Sequence, residues 1–476
     1  MRKSFSKIRA ATDTANGRFW AITLFIGLVF LTGGGARADI SSLLLLRPAA
    51  VFFAAYALSR LTPQELAAVR APLVLLALLA LVIAVQLVPL PPELWTQLPD
   101  RAQFAQIART AQLEEVWRPL SLSPARSWNS LISLVVPLAA LLLFAMQPER
   151  NHRKVLALFL GVAVLSAVVA MLQLSGSPAG PLYFYRVTNN GFAVGLFANR
   201  NHHAVFLAMA IVIAGWYFSA LKSDDRMKSF KAVAAAGSLL MFIPLLFLAG
   251  SRAGLALGGV AVLCAAAFFF SAPLLAAMSF KAGKRRFSGR WLVGIFLGLV
   301  VLLAAAAILL ARDLSVSRLT AADATQDMRY EIADVLLRMA QDYWQLGTGF
   351  GSFEFVYKIH EPFALLIPTY LNQAHNDWAQ LVIEGGIPAI ALLLLFFGWL
   401  AASARKIWHS QPATMRNRRI ASYIILAMMA AASVVDYPLR TPSIMLFAAI
   451  CCALIAWPVS AVHRSDALNR ADRSDE

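Results

Sequence analysis

The chain has 476 residues, of which 59% are hydrophobic and only 14% are charged, and its mean hydropathy is +0.67. Soluble globular proteins of this length carry much more charge, so the composition excludes that class and predicts an all-α polytopic membrane protein. The net charge of +17 does not indicate a nucleic-acid-binding protein, because the cations of so apolar a chain are expected in the loops between spans.

Apolar stretches long enough to cross the hydrocarbon core as helices recur along the whole chain. They predict twelve transmembrane helices, of which the eleventh is the shortest. The predicted spans are residues 19–36, 40–58, 71–88, 128–146, 155–174, 199–219, 232–249, 252–270, 291–311, 378–400, 420–433 and 443–460.

The distribution of Lys and Arg predicts the sidedness. With the N-terminus in the cytoplasm, most of the 42 Lys and Arg residues fall in the two tails and in alternate short loops, as the positive-inside rule requires. Both termini are then cytoplasmic. The predicted organisation is a cytoplasmic tail at 1–18, nine spans within 19–311, an external periplasmic loop at 312–377, three spans within 378–460, and a cytoplasmic tail at 461–476.

Two long connections, 89–127 and 312–377, lie on the predicted outer side. The first is rich in Pro and Trp, which predicts short segments in the headgroup layer. In the second, apolar residues recur at helical spacing and predict an amphipathic helix whose stripe packs on the bundle. The stripe consists of Ile332, Val335, Leu336, Met339 and Tyr343.

Polar clusters interrupt the apolar pattern, all of them at or near the predicted outer interface. They are FANRNHHA (197–204), AGSRAG (249–254), the segment from DMRYE (327–331) to GTGFGSF (347–353), NQAHNDWAQLVIEGG (372–386) and DYPLRTP (436–442). GTGFGSF follows a helix rather than a strand, so a tight turn is the better interpretation than a phosphate loop.

Arg200 and Arg252 each stand at the outward end of a span. Snorkelling to headgroups would explain either residue alone. Small residues follow Arg252, however, and such a face permits close helix packing, which predicts that Arg252 points into a cleft. Convergent guanidinium groups at this depth favour a phosphate or diphosphate ligand, whose oxygens match the donor forks of arginine.

His375 lies at the entrance to the tenth span. A lone interfacial histidine is usually structural, but Glu384 follows within the same span, and an intramembrane carboxylate needs a partner or a function. No HExxH pattern, paired His/Cys spacing or Walker loop occurs, and the three cysteines lie in apolar stretches. The sequence therefore predicts no metal and no other cofactor.

Taken in order, the five clusters resemble the O-antigen ligase and O-antigen polymerase family of bacterial envelope glycosyltransferases. The resemblance covers roughly residues 190–445. It implies a GT-C-like enzyme of the bacterial inner membrane that works on the periplasmic face. Such an enzyme transfers a glycan from undecaprenyl diphosphate to a sugar hydroxyl of lipid A-core or of a second lipid-linked glycan. Its other expected partner is membrane lipid, and no nucleic acid is expected to bind.

Carried over by motif, Arg252 and Arg329 would hold the donor diphosphate, and His375 would orient or deprotonate the acceptor hydroxyl. Direct attack of that hydroxyl would invert the anomeric centre. The resemblance also implies two helper arginines that would bind the donor diphosphate, and three supporting residues around the site. The helpers are Arg200 and Arg440, and the supporting residues are Asn376, Glu384 and Asp436.

Other functions stay open at this point. The motifs do not separate an O-antigen ligase from an O-antigen or exopolysaccharide polymerase, although a histidine in this position favours the ligase. A transporter or flippase for lipid-linked oligosaccharides should carry ionisable groups near the bilayer midplane, whereas here they crowd one face, with Arg47 as the main exception. An inactive scaffold would leave the Arg and His positions unexplained.

Overall fold

The structure is a computed structural model that describes residues 15–221, 227–272, 279–282, 285–288, 331–366, 370–409 and 413–458, with single positions at 294, 298 and 302. Arg329 lies outside the described residues, as do most of the ninth predicted span and of the two tails.

The first part of the chain forms helices joined by short connections. Up to residue 145 these are α1 (Ala15–Thr32), α2 (Leu43–Leu58), α3 (Pro63–Ala68), α4 (Arg70–Val85), α5 (Pro92–Trp95), α6 (Ala102–Thr110), α7 (Pro124–Ser133) and α8 (Val135–Ala145). Strands β1 (Pro89–Leu90) and β2 (Arg118–Pro119) pair antiparallel across α5 and α6.

The remaining helices are longer on average. They are α9 (Glu149–Ser175), α10 (Arg200–Ser219), α11 (Lys228–Leu248), α12 (Arg252–Phe270), α13 (Ala333–Tyr343), α14 (Phe353–His360), α15 (Asp377–His409), α16 (Ala413–Ala432) and α17 (Pro442–Ala456). Strands β3 (Ser279–Ala282) and β4 (Arg285–Ser288) form an antiparallel pair, and 3₁₀ turns lie at Phe363–Leu365 and Pro438–Arg440.

The helices confirm an all-α membrane protein. Within the described ranges, six helical segments are long and apolar enough to cross a membrane, and four shorter apolar helices accompany them. A helix lies at each of the other eleven predicted spans, of which the fourth is divided into α7 and α8 at Leu134, while most of the ninth lies outside the described residues. The six long segments are Pro124–Ala145, Glu149–Ser175, Arg200–Ser219, Lys228–Leu248, Arg252–Phe270 and Asp377–Arg405.

Helix α10 forms the centre of the bundle, and nearly all of its side chains are buried. It packs closely on α12 because small residues face each other along the contact: a Cβ at Gly254 would lie 2.4 Å from the Cβ of Ala204, and one at Gly215 would lie 2.5 Å from the Cα of Ala265. The close approach predicted for the start of α12 is therefore confirmed at Gly254. It fixes the beginning of α12 beside the beginning of α10.

The apolar stripe of the predicted external helix packs inward, as expected. Ile332 and the stripe residues of α13 are buried and share one cluster with Phe353, Tyr357 and Ile383. The 89–127 connection contains the predicted short segments, namely α5, α6 and the β1–β2 pair. Helix α13 therefore rests on α15, whose first turns carry the candidate site.

Helix α15 is interrupted at Gly386, where the backbone has φ +55° and ψ −153°. L-residues avoid this conformation, and a Cβ there would lie 2.7 Å from the backbone N of Gly347.

We expect Gly386→Ala to lower the free energy of unfolding by about 1–3 kcal/mol, measured by denaturation in detergent micelles. Gly398→Ala is the matched control, since its Cβ meets open space in the same helix, and it should be neutral or slightly stabilising. Equal losses in the two variants would contradict the interpretation.

Candidate active site

A buried carboxyl stands where three parts of the chain meet. Asp436 lies between α16 and α17 and is 2% exposed. Its Oδ2 accepts a hydrogen bond of 2.7 Å from Nδ2 of Asn201, in the first turn of α10, and its Oδ1 accepts one of 3.0 Å from the backbone N–H of Tyr437. These bonds fix both oxygens of the carboxylate.

Two imidazoles flank the same carboxylate. Nδ1 of His375 lies 3.5 Å from Oδ1 of Asp436, and Nε2 of His202 lies 3.7 Å from that oxygen. Burial raises the pKa of the Asp436 carboxyl, but the two histidines lower it by a larger amount, so that it lies well below its usual range. Asp436 is therefore a carboxylate at neutral pH and able to accept an N–H from either ring.

The backbone and a neighbouring ring both hold His375 in place. Its φ is +50°, in the left-handed region that few residues other than glycine adopt, and its ring packs edge-on against Tyr437 at 4.8 Å between centroids. Its side chain is 16% exposed, while those of His202 and Asp436 are almost fully buried. Of the two imidazoles, His375 is thus the one that is accessible from outside the cluster.

A second polar cluster lies beside the first. Nε of Arg440 donates a 2.9 Å hydrogen bond to Oδ1 of Asp377, and its two terminal nitrogens lie 3.4 Å from Oε2 of Glu384. Burial lowers the pKa of the Arg440 guanidinium, but the carboxylates of Glu384 and Asp377 raise it above its ordinary value. The partner that Glu384 was expected to need is therefore Arg440.

Glu384 is fully buried and also ties the GTGFGSF turn to α15. Its Oε1 accepts hydrogen bonds from the backbone N–H of Phe353 and from Nε2 of Gln380, and its backbone carbonyl accepts one from Gly349. Gly347, Gly349 and Gly351 all have positive φ, which confirms the tight turn. The backbone N–H groups of Gly347, Thr348 and Gly349 donate to carbonyl oxygens of this protein, and that of Phe350 donates to Gln86.

Because the fully buried Glu384 carboxylate joins the Arg440 guanidinium to the turn, we expect Glu384→Gln to lower the free energy of unfolding by about 3 kcal/mol, as measured by denaturation in micelles. The matched control is Glu354→Gln, whose partners Arg126 and Lys358 are part-exposed and which should cost under about 1 kcal/mol. A Glu384→Gln variant as stable as the Glu354→Gln variant would show that the buried pair contributes little.

The other predicted site residues are arranged as follows. Asn376 caps α15, since its Oδ1 accepts hydrogen bonds from the backbone N–H groups of Trp378 and Ala379. Arg200 is buried, with its guanidinium carbon 4.1 Å from the centre of the Phe192 ring. Both residues thus have clear structural contacts at this end of the bundle.

Arg252 differs from the expectation of a cleft, because its side chain is exposed. It is the first residue of α12, and Gly254 rather than Arg252 faces α10. Arg252 therefore stands at the helix start, beside the positive end of the helix dipole. The packing of Gly254 on Ala204 keeps Arg252 at the end of the bundle that carries the Asp436 cluster.

Sequence reasoning did not assign a role to His202, Asn201 or Thr441. Nδ1 of His202 lies 2.9 Å from the Thr441 hydroxyl, so two side-chain hydrogen bonds join FANRNHHA to DYPLRTP, beside the contact of His202 with Asp436. The available signal was the recurrence of polar residues in the first turn of an otherwise apolar span, since such groups need partners inside a bundle.

Residues 236–394 match the family model described as O-Antigen ligase. The resemblance to this family is confirmed. The part of this chain that matches the family model includes α12, the GTGFGSF turn and His375, whereas Asn201 and Asp436 lie outside it. The family supports an O-antigen ligase-like or polymerase-like membrane enzyme, with lipid-linked glycans and lipid A-core as its general substrates. No curated protein matches the chain at a significant level.

Proposed function

We propose that this protein transfers a glycan from undecaprenyl diphosphate to a sugar hydroxyl, with His375 as the base. The observation that supports this most is the contact between His375 and the buried Asp436 carboxylate. A carboxylate on one ring nitrogen of an imidazole fixes the tautomer and stabilises the imidazolium that forms when the other nitrogen takes a proton.

In the proposed reaction, Asp436 accepts the Nδ1–H of His375, and Nε2 takes the proton of the acceptor hydroxyl. The hydroxyl oxygen forms a bond to C1 of the donor sugar as the bond from C1 to the diphosphate oxygen breaks. The electron pair leaves with the diphosphate, and the anomeric centre is inverted. Undecaprenyl diphosphate is a good leaving group, so stabilisation of its growing negative charge is the main requirement.

We assign that stabilisation to Arg252 and Arg329. Arg252 stands at the start of α12, where the helix dipole and the guanidinium both favour an anion. Arg200 remains a helper of the donor site. Arg440 has a different role in the proposal, because its nitrogens already contact Asp377 and Glu384; it holds the first turns of α15, and with them His375, in position.

The proposal includes a topology. Twelve spans in a GT-C-like arrangement would place both termini in the cytoplasm and the Asp436 cluster at the periplasmic face of the inner membrane. The distribution of Lys and Arg supports this orientation. In it, the arginines and histidine of the proposed site fall at the outward ends of predicted spans or in the external loops. We also propose catalysis without a metal ion, with the arginines supplying the positive charge.

The proposal favours an O-antigen ligase, with a polymerase of the same family as the second candidate. A reconstituted assay tests it by offering purified protein in liposomes one lipid-linked donor with either lipid A-core or more donor as acceptor. Capped lipid A-core identifies a ligase, and lengthened lipid-linked glycan identifies a polymerase. If neither product forms with either acceptor, the proposed transfer reaction is wrong.

A further inference from the structure

A cavity of about 630 Å³ lies among α2, α4, α7, α8, α15, α16 and α17. Most of its wall is apolar. Along α15 the lining residues run from Asp377 to Leu400, a length of about 35 Å at 1.5 Å per residue. This length is close to the thickness of the hydrocarbon core. The cavity is therefore shaped for an extended apolar chain rather than for a soluble metabolite.

One end of the cavity is polar and contains four arginines. Three of them have carboxylate partners: Arg37 pairs with Asp39, Arg126 with Glu354, and Arg440 with Asp377. The fourth is Arg47.

Arg47 has no carboxylate partner among the residues that the structure describes. Its terminal nitrogen donates a 2.7 Å hydrogen bond to Oδ1 of Asn129, while its Nε is buried without a hydrogen-bond partner. It lies in the second turn of α2, about 6 Å from the helix start. A cation at this depth costs free energy unless an anion or a polar ligand compensates it.

We propose that this cavity binds a membrane phospholipid with a singly charged phosphodiester head group, anchored by Arg47 and with its acyl chain along α4 and α15. The count of charges selects this occupant: one guanidinium without a carboxylate partner matches one negative charge, whereas a diphosphate needs several cations. The site is thus distinct from the proposed donor site at Arg252, and it does not depend on the proposed reaction.

The position of the cavity gives the lipid an effect on the active site. Asp377 and Arg440 form part of its wall, and Asp377 is two residues from His375. A bound head group would therefore lie in the same cavity as the Asp377–Arg440 ion pair, which holds the start of α15. The lipid is expected to stabilise this end of the bundle without taking part in the chemistry.

Native mass spectrometry of the purified full-length protein tests the proposal, with phosphatidylglycerol as the anionic probe and phosphatidylcholine as the zwitterionic one. Wild type should retain one phosphatidylglycerol, and Arg47→Gln should bind it about tenfold more weakly or worse. Arg109→Gln, an exposed arginine of α6, is the matched control and should bind as wild type does. Leu79→Trp, which fills the apolar wall, should also expel the lipid while keeping Arg47.

Three results would overturn the proposal. Equal retention of both lipids would show that the head-group charge is not recognised. Unchanged binding in both Arg47→Gln and Leu79→Trp would place the lipid elsewhere. Displacement of phosphatidylglycerol by the lipid-linked donor would assign the cavity to the donor. None of these measurements needs transfer activity, so their outcome is separate from that of the proposed function.

Discussion

His375→Ala should lower the rate of glycan transfer by about 10²- to 10⁴-fold, the usual contribution of a positioned general base. The loss should appear in kcat, because the imidazole acts on the acceptor proton as the new bond forms. The measurement is the initial rate of transfer in liposomes at saturating donor and acceptor. Protein folding is checked by the thermal unfolding midpoint in detergent.

The matched control is His360→Ala. His360 is also part-exposed and lies in α14, where its Nε2 is 3.0 Å from the Tyr343 hydroxyl and no contact links it to Asp436. Its replacement should leave transfer unchanged.

Asp436→Asn should lower the rate of glycan transfer about a hundredfold or more, because an amide can donate to Nδ1 of His375 and so select the wrong tautomer. An Asp436→Asn enzyme with the wild-type rate would mean that the carboxylate does not orient the ring.

Arg252→Ala should lower transfer by about 10²- to 10³-fold, as expected when one preorganised donor to a developing negative charge is removed. Arg252→Lys should be severely impaired as well, because an ammonium is a point charge and cannot present the planar donor fork of a guanidinium. Arg329→Ala should behave as Arg252→Ala does. The measurement is transfer rate against donor concentration, which separates donor binding from turnover.

Arg338→Ala provides the control for these variants, since Arg338 is exposed on α13 and has no proposed role. It should transfer at the wild-type rate. A normal rate for Arg252→Lys would favour simple charge anchoring over recognition of diphosphate by the fork. A normal rate for Arg252→Ala would remove Arg252 from the donor site.

The periodic features of the fold could be predicted from the sequence because they depend on local physics. Apolar runs of span length located the helices, and the recurrence of Ile332, Val335 and Met339 gave the buried face of the external helix. The break in α15 at Gly386 was not predicted. A glycine pair in an apolar span fits an unbroken helix equally well, and the break depends on contacts with Gly347, which is distant in the chain.

The candidate site was only partly predictable for the same reason. The polar clusters identified His375, Glu384 and Asp436, but their partners come from segments far away in sequence: Asn201 meets Asp436 across 235 residues. Spacing along one helix cannot give such pairings. The sequence therefore named Arg440 as a diphosphate ligand, whereas the structure engages its guanidinium with Asp377 and Glu384.

The exposure of Arg252 had a different cause. Small residues after an arginine indicate close packing of the helix, but they do not tell which side of the first turn the arginine occupies. In the structure Gly254 takes the packed side. This exposure at the start of α12 is compatible with the proposed role of Arg252 in holding the donor diphosphate.

The most direct test of the central claim, that His375 is the base paired with Asp436, is chemical rescue of the His375→Ala enzyme by added imidazoles. The account predicts that transfer by this variant rises with imidazole concentration and with the basicity of the imidazole, and that Arg252→Ala shows no rescue. Full transfer by purified His375→Ala without any imidazole would contradict the account.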